Sequence, residues 1–370
     1  MWLRYSPTSN DAAYPVREML VNSAGGFVRR STTGDLALFL TDTIGWTATG
    51  WSTIVLTLLA CVLFTLAIII YRHLPDDPAL VPLVLTPLGL MFYSYDADVM
   101  IRKEAFGYIA LAIVLGGTFA KMPNKALCCL LISCLLMPLS ILAHEINAIF
   151  AGPLVVATFW LIKKHPQIRI QALMASSAAT VASILGVVAV SLHMTAPPEA
   201  ICAAVGDLYC HAPYSYFTDS AQDAKAYVAD QIEPAGFALS GILICIALFP
   251  FAGLKADNGG RNWIIMTGAV TLLPILPLFI LAADHGRWIA MIVVTCSLMA
   301  ATALGHGKIS YRRVCPSWLA CAFCGSWSLY HFRVEIRPDA VLLWAFLLGA
   351  ISFHFLFKML LPAQQSKAAS

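Results

Sequence analysis

Long uninterrupted runs of apolar residues recur along the whole chain, separated by short polar junctions. A helix needs about 20 apolar residues to cross a hydrocarbon core of about 30 Å. No long alternation of apolar and polar residues predicts the strands of an outer-membrane barrel. The pattern therefore predicts an all-α fold, a polytopic transmembrane helical bundle of about 11 spans. These spans lie near 52–71, 79–95, 105–120, 126–143, 147–162, 170–192, 236–254, 262–283, 289–304, 315–331 and 340–360.

Three segments follow from this division: an N-terminal segment 1–50, a transmembrane bundle 51–361 and a short tail 362–370. The longest loop within the bundle is 193–235. A signal peptide has a short basic region followed by an apolar region, and residues 1–50 contain no such pattern. Either they are translocated with the first span, or the chain lacks an upstream first helix; we favour the second interpretation.

Composition supports the membrane interpretation and excludes two other classes. The chain is 59% hydrophobic and only 12% charged, with a mean hydropathy of +0.78, whereas soluble domains are about 45–50% apolar and about 25% charged. A net charge of +3 provides no basic stripe for nucleic acid.

The distribution of charge predicts the orientation. One alternating set of junctions is basic and has only three acidic residues, Asp76, Asp77 and Asp257. The positive-inside rule makes that set cytoplasmic. The C-terminus is then cytoplasmic, whereas residues 1–50 and the loop 193–235 are extracytoplasmic. Within that loop, Cys202 and Cys210 form a candidate disulfide in an oxidising compartment; a pairing and two free thiols are equally compatible with the spacing.

Compact clusters of charge lie at the predicted extracytoplasmic junctions. They include Arg29, Arg30 and Asp35; Asp96, Asp98, Arg102, Lys103 and Glu104; His144 and Glu145; Asp284, His285 and Arg287; and His331, Arg333, Glu335 and Arg337. Ionisable side chains at a membrane boundary are expensive and commonly mark a functional site. Pairing between helix ends is the structural alternative. Several clusters on one side favour a single extracytoplasmic site.

The residue types in these clusters suggest phosphate binding and proton transfer. Arginine and lysine can hold a phosphate or diphosphate, and the candidate binding residues are Arg29, Arg30, Arg102, Lys103, Glu104, His285 and Arg287. A carboxylate or imidazole can accept a proton from a sugar hydroxyl, and the candidate catalytic residues are Glu145, Asp284 and His144. No spacing typical of a metal site organises these residues.

Four motifs carry a resemblance to a known type of protein. They are Gly25-Gly26-Phe27-Val28-Arg29-Arg30 with Gly34, Arg102-Lys103-Glu104, His144-Glu145, and Asp284-x-Gly286-Arg287-Trp288. The chain resembles bacterial surface-polysaccharide polymerases of O-antigen and exopolysaccharide loci, and more distantly GT-C glycosyltransferases. The resemblance implies roughly ten to fourteen spans. It also implies use of polyprenyl-phosphate-linked or polyprenyl-diphosphate-linked sugars at the outer face of the bacterial inner membrane.

The leading hypothesis is therefore an inner-membrane glycosyltransferase or polysaccharide polymerase at the extracytoplasmic face. Its partners would be the lipid-linked sugar, a glycan acceptor and the lipid bilayer, with no diffusible cofactor and no metal indicated. A transporter or flippase of a lipid-linked or anionic glycan, and a membrane acyltransferase, are the alternatives. A transporter typically has repeated halves and charge near the midplane, which this sequence lacks.

Overall fold

The structure, a computed structural model, describes residues 14–72 without 27 and 29, 102–190, 198–205, 226, 238, 241–242, 244–245, 248–256, 258–281, 285–311, 328–329 and 336–337. In chain order its helices are α1 (Tyr14–Met19), α2 (Thr32–Ile44), α3 (Ala48–Tyr71), α4 (Glu104–Gly117), α5 (Pro123–Ala143), α6 (Ala151–Lys164), α7 (Arg169–Val190), α8 (Pro198–Val205), α9 (Asn258–Ile275), α10 (Leu278–Leu281) and α11 (His285–Gly305). Three 3₁₀ helices join them, at Glu145–Phe150, Pro166–Ile168 and Phe249–Gly253.

Within the described residues, six helical stretches are long and apolar enough to cross a membrane. They are Ala48–Leu66, Pro123–Ala143, Glu145–Lys164, Pro166–Val188, Asn262–Ile280 and His285–Gly305. Each overlaps a span predicted from the sequence. A predominantly helical fold with six such helices indicates a multi-pass membrane protein.

Helices α4 and α11 form the buried centre of the described bundle. Nearly every side chain of α11 is buried, and α4 packs against α3, α5 and α6. The outer helices instead leave large apolar side chains exposed, such as Leu58 on α3, Leu135 on α5 and Ile184 on α7. Apolar side chains on the outside and polar groups in the interior are what a bilayer requires, because lipid tails are as apolar as the side chains that face them.

The C-terminal end of α4 is held by side chains from two neighbouring helices. Four carbonyl groups at a helix end have no partner inside the helix. Here Lys164 donates to the carbonyl of Thr118, and the ring of His165 lies 3.1 Å from the carbonyl of Ala120. His306 follows α11, and its Nε2 lies 2.9 Å from Oγ1 of Thr118. These contacts hold the C-terminal end of α4 against the ends of α6 and α11. The start of α4 therefore lies at the opposite end of the bundle.

Two short antiparallel strand pairs differ from the all-α prediction. Strand β1 (Leu254–Ala256) pairs with β2 (Ile309–Tyr311), and β3 (Ser328–Leu329) pairs with β4 (Ile336–Arg337). Strand β1 overlaps the predicted span 236–254 at Leu254 alone, and β3 lies within the predicted span 315–331. The other residues of the span 315–331 lie outside the described residues, so both spans stay predictions.

Several predicted features lie wholly or largely outside the described residues. They are the spans 79–95 and 340–360, the tail 362–370 and most of the loop 193–235. The predicted total of about 11 spans consequently stays a prediction. Residues 14–50 of the predicted N-terminal segment are described except for 27 and 29, and they pack against the bundle through α1 and α2.

Gly107 provides the first testable prediction. A Cβ atom at Gly107 would lie 2.2 Å from Cδ2 of Phe150 and 2.7 Å from Oδ1 of Asn147, whereas one at Gly116 of the same helix would meet nothing within 4 Å. Gly107→Ala is expected to destabilise the protein by about 1–3 kcal/mol because the buried contact must open. The matched variant Gly116→Ala is expected to be neutral or slightly stabilising. Thermal unfolding in detergent measures both; equal melting temperatures would contradict the tight contact.

Candidate functional site

Charged side chains from four parts of the chain meet at one end of the bundle. Helices α4 and α11 begin there and α5 ends there, and the N-terminal segment packs over them. We call this group the ionic cluster; its members are Glu18, Arg30, Arg102, Lys103, Glu104, His144, Glu145 and Arg287. Most of these side chains are buried, which is costly for charged groups unless they are paired.

Glu18 of α1 lies at the centre of the cluster. Its Oε2 accepts a hydrogen bond of 2.8 Å from Nε of Arg102. Its Oε1 lies 3.5 Å from Nε2 of His144 and 3.9 Å from a guanidinium nitrogen of Arg30. One carboxylate therefore contacts groups from three separate segments and ties the N-terminal segment to the bundle.

Arg30 and Glu145 form the most accessible part of the ionic cluster. Nε of Arg30 donates to both carboxylate oxygens of Glu145, at 3.0 and 2.8 Å. These side chains are 19% and 29% exposed, in contrast with their buried neighbours. Arg30 also has a φ of 68°, a left-handed conformation that a non-glycine residue adopts at a cost. Its carbonyl accepts a 2.7 Å hydrogen bond from Nζ of Lys103, which helps to hold that conformation.

His144 lies between two carboxylates. Its Nδ1 is 3.3 Å from the N–H of Ile146 and 3.6 Å from Oε2 of Glu145. Its Nε2 is 3.1 Å from a guanidinium nitrogen of Arg287 and 3.5 Å from Oε1 of Glu18. Each ring nitrogen thus faces one donor and one carboxylate. The hydrogen-bond contacts of the ring are made with Ile146 and Arg287, and the two carboxylates lie just beyond hydrogen-bond distance on either side.

Arg287 and Glu104 form an ion pair between the first turns of α11 and α4. Both side chains are almost completely buried. The guanidinium of Arg287 also lies 5.1 Å from the ring centroid of Trp288, within the range of a cation–π contact. The buried Arg287 therefore holds α11 against α4, and its contact with Nε2 helps to orient the ring of His144.

The backbone around His144 and Glu145 is fixed by Asn147. Helix α5 ends where His144 adopts an extended conformation, and the chain continues in a 3₁₀ helix. Nδ2 of Asn147 donates to the carbonyl of Ser140 at 2.8 Å and to that of Lys103 at 3.0 Å. The side chain therefore satisfies a carbonyl from the last turn of α5 and joins this turn to the start of α4.

Burial and charge set the protonation states in the cluster. Burial lowers the pKa of Lys103 to about 7, although Glu18 opposes this change. Burial also lowers the pKa of His144 to about 3, and Arg30 adds to the effect, so the ring is neutral near pH 7. Burial alone would raise the pKa of Glu18, but Arg102 and then His144 hold it well below its ordinary value. The cluster thus combines an ionised carboxylate with a neutral imidazole and a lysine that titrates near neutrality.

Most of the described candidate residues do come together. Arg30, Arg102, Lys103, Glu104, His144, Glu145 and Arg287 are all members of the ionic cluster. His285 is not: its Nε2 lies 3.0 Å from the carbonyl of Phe279, and its ring packs on that of Phe279. Asp35 accepts from the backbone N–H and the hydroxyl of Ser23. Arg29 and Asp284 lie outside the described residues.

One of the two cysteines of the candidate disulfide is described. Cys202 in α8 takes part in a disulfide, and Cys210 lies outside the described residues. Their pairing with each other stays a prediction.

Glu18 was not among the residues singled out from the sequence. It lies in a short segment, Tyr14–Met19, with no apolar span beside it. The available signal is that Val16, Met19 and Leu20 are apolar around Glu18 and Arg17, which suggests a short amphipathic helix packed on a surface. That pattern indicates packing but does not identify the carboxylate as a partner of Arg102.

The chemistry open to the ionic cluster is charge stabilisation and proton transfer. In the described part of the chain, no group of three or more His, Cys, Asp or Glu side chains is placed to hold a metal ion. The partly exposed Glu145 can exchange a proton with a bound hydroxyl, and the surrounding cations can stabilise a developing negative charge.

The pKa of Lys103 predicts a pH dependence of stability. Between about pH 7 and 10.5 Lys103 is protonated in the unfolded chain and largely neutral in the folded one. The unfolded state then binds more protons, so its contribution to the free energy of unfolding rises with pH across this window. Lys103→Met is expected to flatten that rise, as measured by thermal unfolding in detergent from pH 7 to 10. An identical slope in both proteins would contradict the low pKa.

Comparisons with family models, curated proteins and solved structures found no match to this chain.

Proposed function

We propose that this protein is an integral inner-membrane glycosyltransferase, and specifically a polysaccharide polymerase, that uses polyprenyl-phosphate-linked or polyprenyl-diphosphate-linked sugars at the extracytoplasmic face. The observation that carries the proposal is the partly open Arg30–Glu145 pair over the buried cations of the ionic cluster. A base and an anion-binding group side by side, at the boundary of a membrane bundle, are what transfer from a lipid-linked sugar requires.

Arg30 has the role of binding the (di)phosphate, and the buried Arg102 and Lys103 add positive charge behind it. Guanidinium groups donate two parallel hydrogen bonds to phosphate oxygens. Arg30 is paired with Glu145 and is partly exposed. An incoming phosphate can therefore replace the Glu145 carboxylate as the partner of the Arg30 guanidinium. That exchange releases the carboxylate of Glu145 at the moment when substrate is bound.

Glu145 has the role of general base. It removes the proton from a hydroxyl of the acceptor glycan as that oxygen attacks the anomeric carbon of the donor sugar. The bond from this carbon to the phosphate oxygen breaks, and the released lipid (di)phosphate keeps the electron pair. Arg102, Lys103 and Arg30 stabilise the charge that builds on it, and Glu145 holds the proton until it is released to water.

Orientation is part of the proposal. The positive-inside distribution of lysine and arginine supports an extracytoplasmic position for the ionic cluster and a cytoplasmic C-terminus. The basic ends of the described helices, such as Lys163 and Lys164 at the end of α6, lie at the opposite end of that helix from Glu145. The bacterial inner membrane follows from the resemblance in the four sequence motifs.

A transporter of an anionic, lipid-linked glycan is the second candidate function. The arrangement that favours it is His144 between Glu145 and Glu18, because proton-coupled transporters use buried chains of carboxylates and histidines. A transporter moves its substrate intact, whereas a glycosyltransferase cleaves the bond to the lipid.

Deletion of the gene distinguishes the two functions in the cell. If the protein is a polymerase, surface polysaccharide is lost and the lipid-linked precursor accumulates on the outer face, where an impermeant lectin labels it in spheroplasts. If it is a transporter, the precursor accumulates on the cytoplasmic face and is labelled only after lysis. Unchanged polysaccharide and precursor would contradict both functions.

A further inference from the structure

Helix α2 has a buried face and an exposed apolar face. Thr33, Gly34 and Ala37 are buried against the bundle. A Cβ atom at Gly34 would lie 2.1 Å from the carbonyl oxygen of Val21, so this face is in direct contact with the N-terminal segment. The second face carries large exposed apolar side chains, with Leu36 48% and Phe39 61% exposed.

The acidic residues of α2 lie beside its apolar face. Asp35 and Asp42 are seven residues apart and therefore lie almost in line along the helix, and Phe39 lies about 40° from Asp35 around the axis. Asp35 accepts hydrogen bonds from Ser23, and the adjoining residues Ser23, Ala24 and Gly25 are exposed. The two aspartates thus mark the edge of the apolar face that is next to the exposed loop.

The apolar face of α2 continues into the outer surface of α3. Only Gly45, Trp46 and Thr47 separate the helices, and Gly45 makes the turn with a φ of 83°. Ile44 and Trp46 at this junction are 62% and 52% exposed. The ring of Trp46 contacts that of Trp51 in an edge arrangement with centroids 5.5 Å apart. Leu58, Val62 and Ile68 then continue the exposed apolar surface along the membrane-length helix α3.

We propose that α2 lies in the membrane interface, with Leu36, Phe39 and Ile44 in the lipid and with Asp42 in the headgroup and water region. An exposed apolar face that is continuous with a spanning helix is covered by the same bilayer. Tryptophan at the junction is characteristic of the interface. An exposed apolar face with charged residues at its edge is a pattern of helices that lie in the membrane plane.

This placement has a consequence for the ionic cluster. Arg30 is two residues before α2 begins at Thr32, so a helix held in the interface keeps Arg30, and with it the accessible part of the cluster, at the level of the lipid headgroups. In the proposed function, on which this consequence rests, a lipid-linked phosphate then reaches Arg30 by lateral movement within its leaflet.

Photocrosslinking to lipid tests the placement of α2. p-Benzoylphenylalanine is introduced singly at Leu36, Phe39 or Asp42 of the full chain, and at Leu58 of α3 as the lipid-facing reference. The proteins are reconstituted in vesicles of phosphatidylethanolamine and phosphatidylglycerol with labelled acyl chains. We expect lipid adducts at Leu36 and Phe39 at about the yield of Leu58 and at least about fivefold above Asp42.

Two results would overturn the placement. Equal lipid adducts at Phe39 and Asp42 would show that the helix has no lipid-facing side. Adducts at Leu36 and Phe39 with the mass of a second copy of the chain, in place of lipid, would show that protein covers this face. Both results are independent of catalysis, because the crosslinking is performed without substrate and would stand if the glycosyltransferase proposal failed.

Discussion

Arg287→Ala is expected to destabilise the folded protein by about 3–5 kcal/mol and to abolish its activity. Arg287 pairs with Glu104, and its guanidinium lies 3.1 Å from Nε2 of His144. Both charged side chains are almost completely buried. Removing the cation leaves the carboxylate of Glu104 in an apolar environment with its principal ion-pair partner lost, and such a group costs far more than the pair contributed.

A double variant shows whether Arg287→Ala destabilises the protein through an unpaired buried charge or through lost packing. The double variant Arg287→Met with Glu104→Gln removes both charges, so it is expected to recover most of the stability lost in Arg287→Ala while remaining inactive. Arg169→Ala is the matched control, because Arg169 is exposed at the start of α7. Thermal unfolding in detergent provides the measurement. A single variant as stable as this control would contradict the buried pair.

Glu145→Gln is expected to reduce glycosyl transfer by about 10²–10⁴-fold, the usual contribution of a general base, while the protein remains folded. The amide has the shape of the carboxylate and still accepts one hydrogen bond from Arg30, and Glu145 is partly exposed. Cells with this variant are expected to lose surface polysaccharide and to accumulate lipid-linked precursor on the outer face.

The control for this variant is Glu199→Gln, the same change at an exposed position in the first turn of α8. Its polysaccharide is expected to match that of the wild type. Normal polysaccharide in cells with a stably expressed Glu145→Gln protein would remove Glu145 from the mechanism. Loss of stability in that variant, measured in parallel, would assign Glu145 a structural role instead.

The position of the spanning helices was largely predictable from hydropathy. The predicted spans 126–143 and 147–162 correspond to α5 and to Glu145–Lys164. A run of about 20 apolar residues between charged junctions has the length of a helix that crosses a bilayer. The strands β1 and β3 were not predicted, because two or three residues of pairing leave no periodic pattern in the sequence.

The membership of the ionic cluster was predictable where helix ends carried charge, and less so elsewhere. Arg102, Lys103 and Glu104 begin α4 and His144 ends α5, so sequence position alone places them near one another. His285 and Arg287 are two residues apart on α11 and therefore point about 200° apart around the helix. Only packing decides which of them faces the cluster.

The pairing of Glu18 with the cluster could not be predicted from the sequence. Its partner Arg102 is 84 residues away, and α1 has only six residues. No local periodicity can indicate such a pairing, because it depends on how the N-terminal segment folds back over the bundle.

Release of lipid (di)phosphate by the purified protein tests the central claim most directly. The full chain is reconstituted in vesicles with acceptor glycan and with the lipid-linked precursor extracted from cells lacking the gene. The account predicts that the wild type and Glu199→Gln release the free lipid (di)phosphate as glycan lengthens, and that Glu145→Gln does not. Precursor that stays intact with the wild type, or that crosses the bilayer intact, would contradict it.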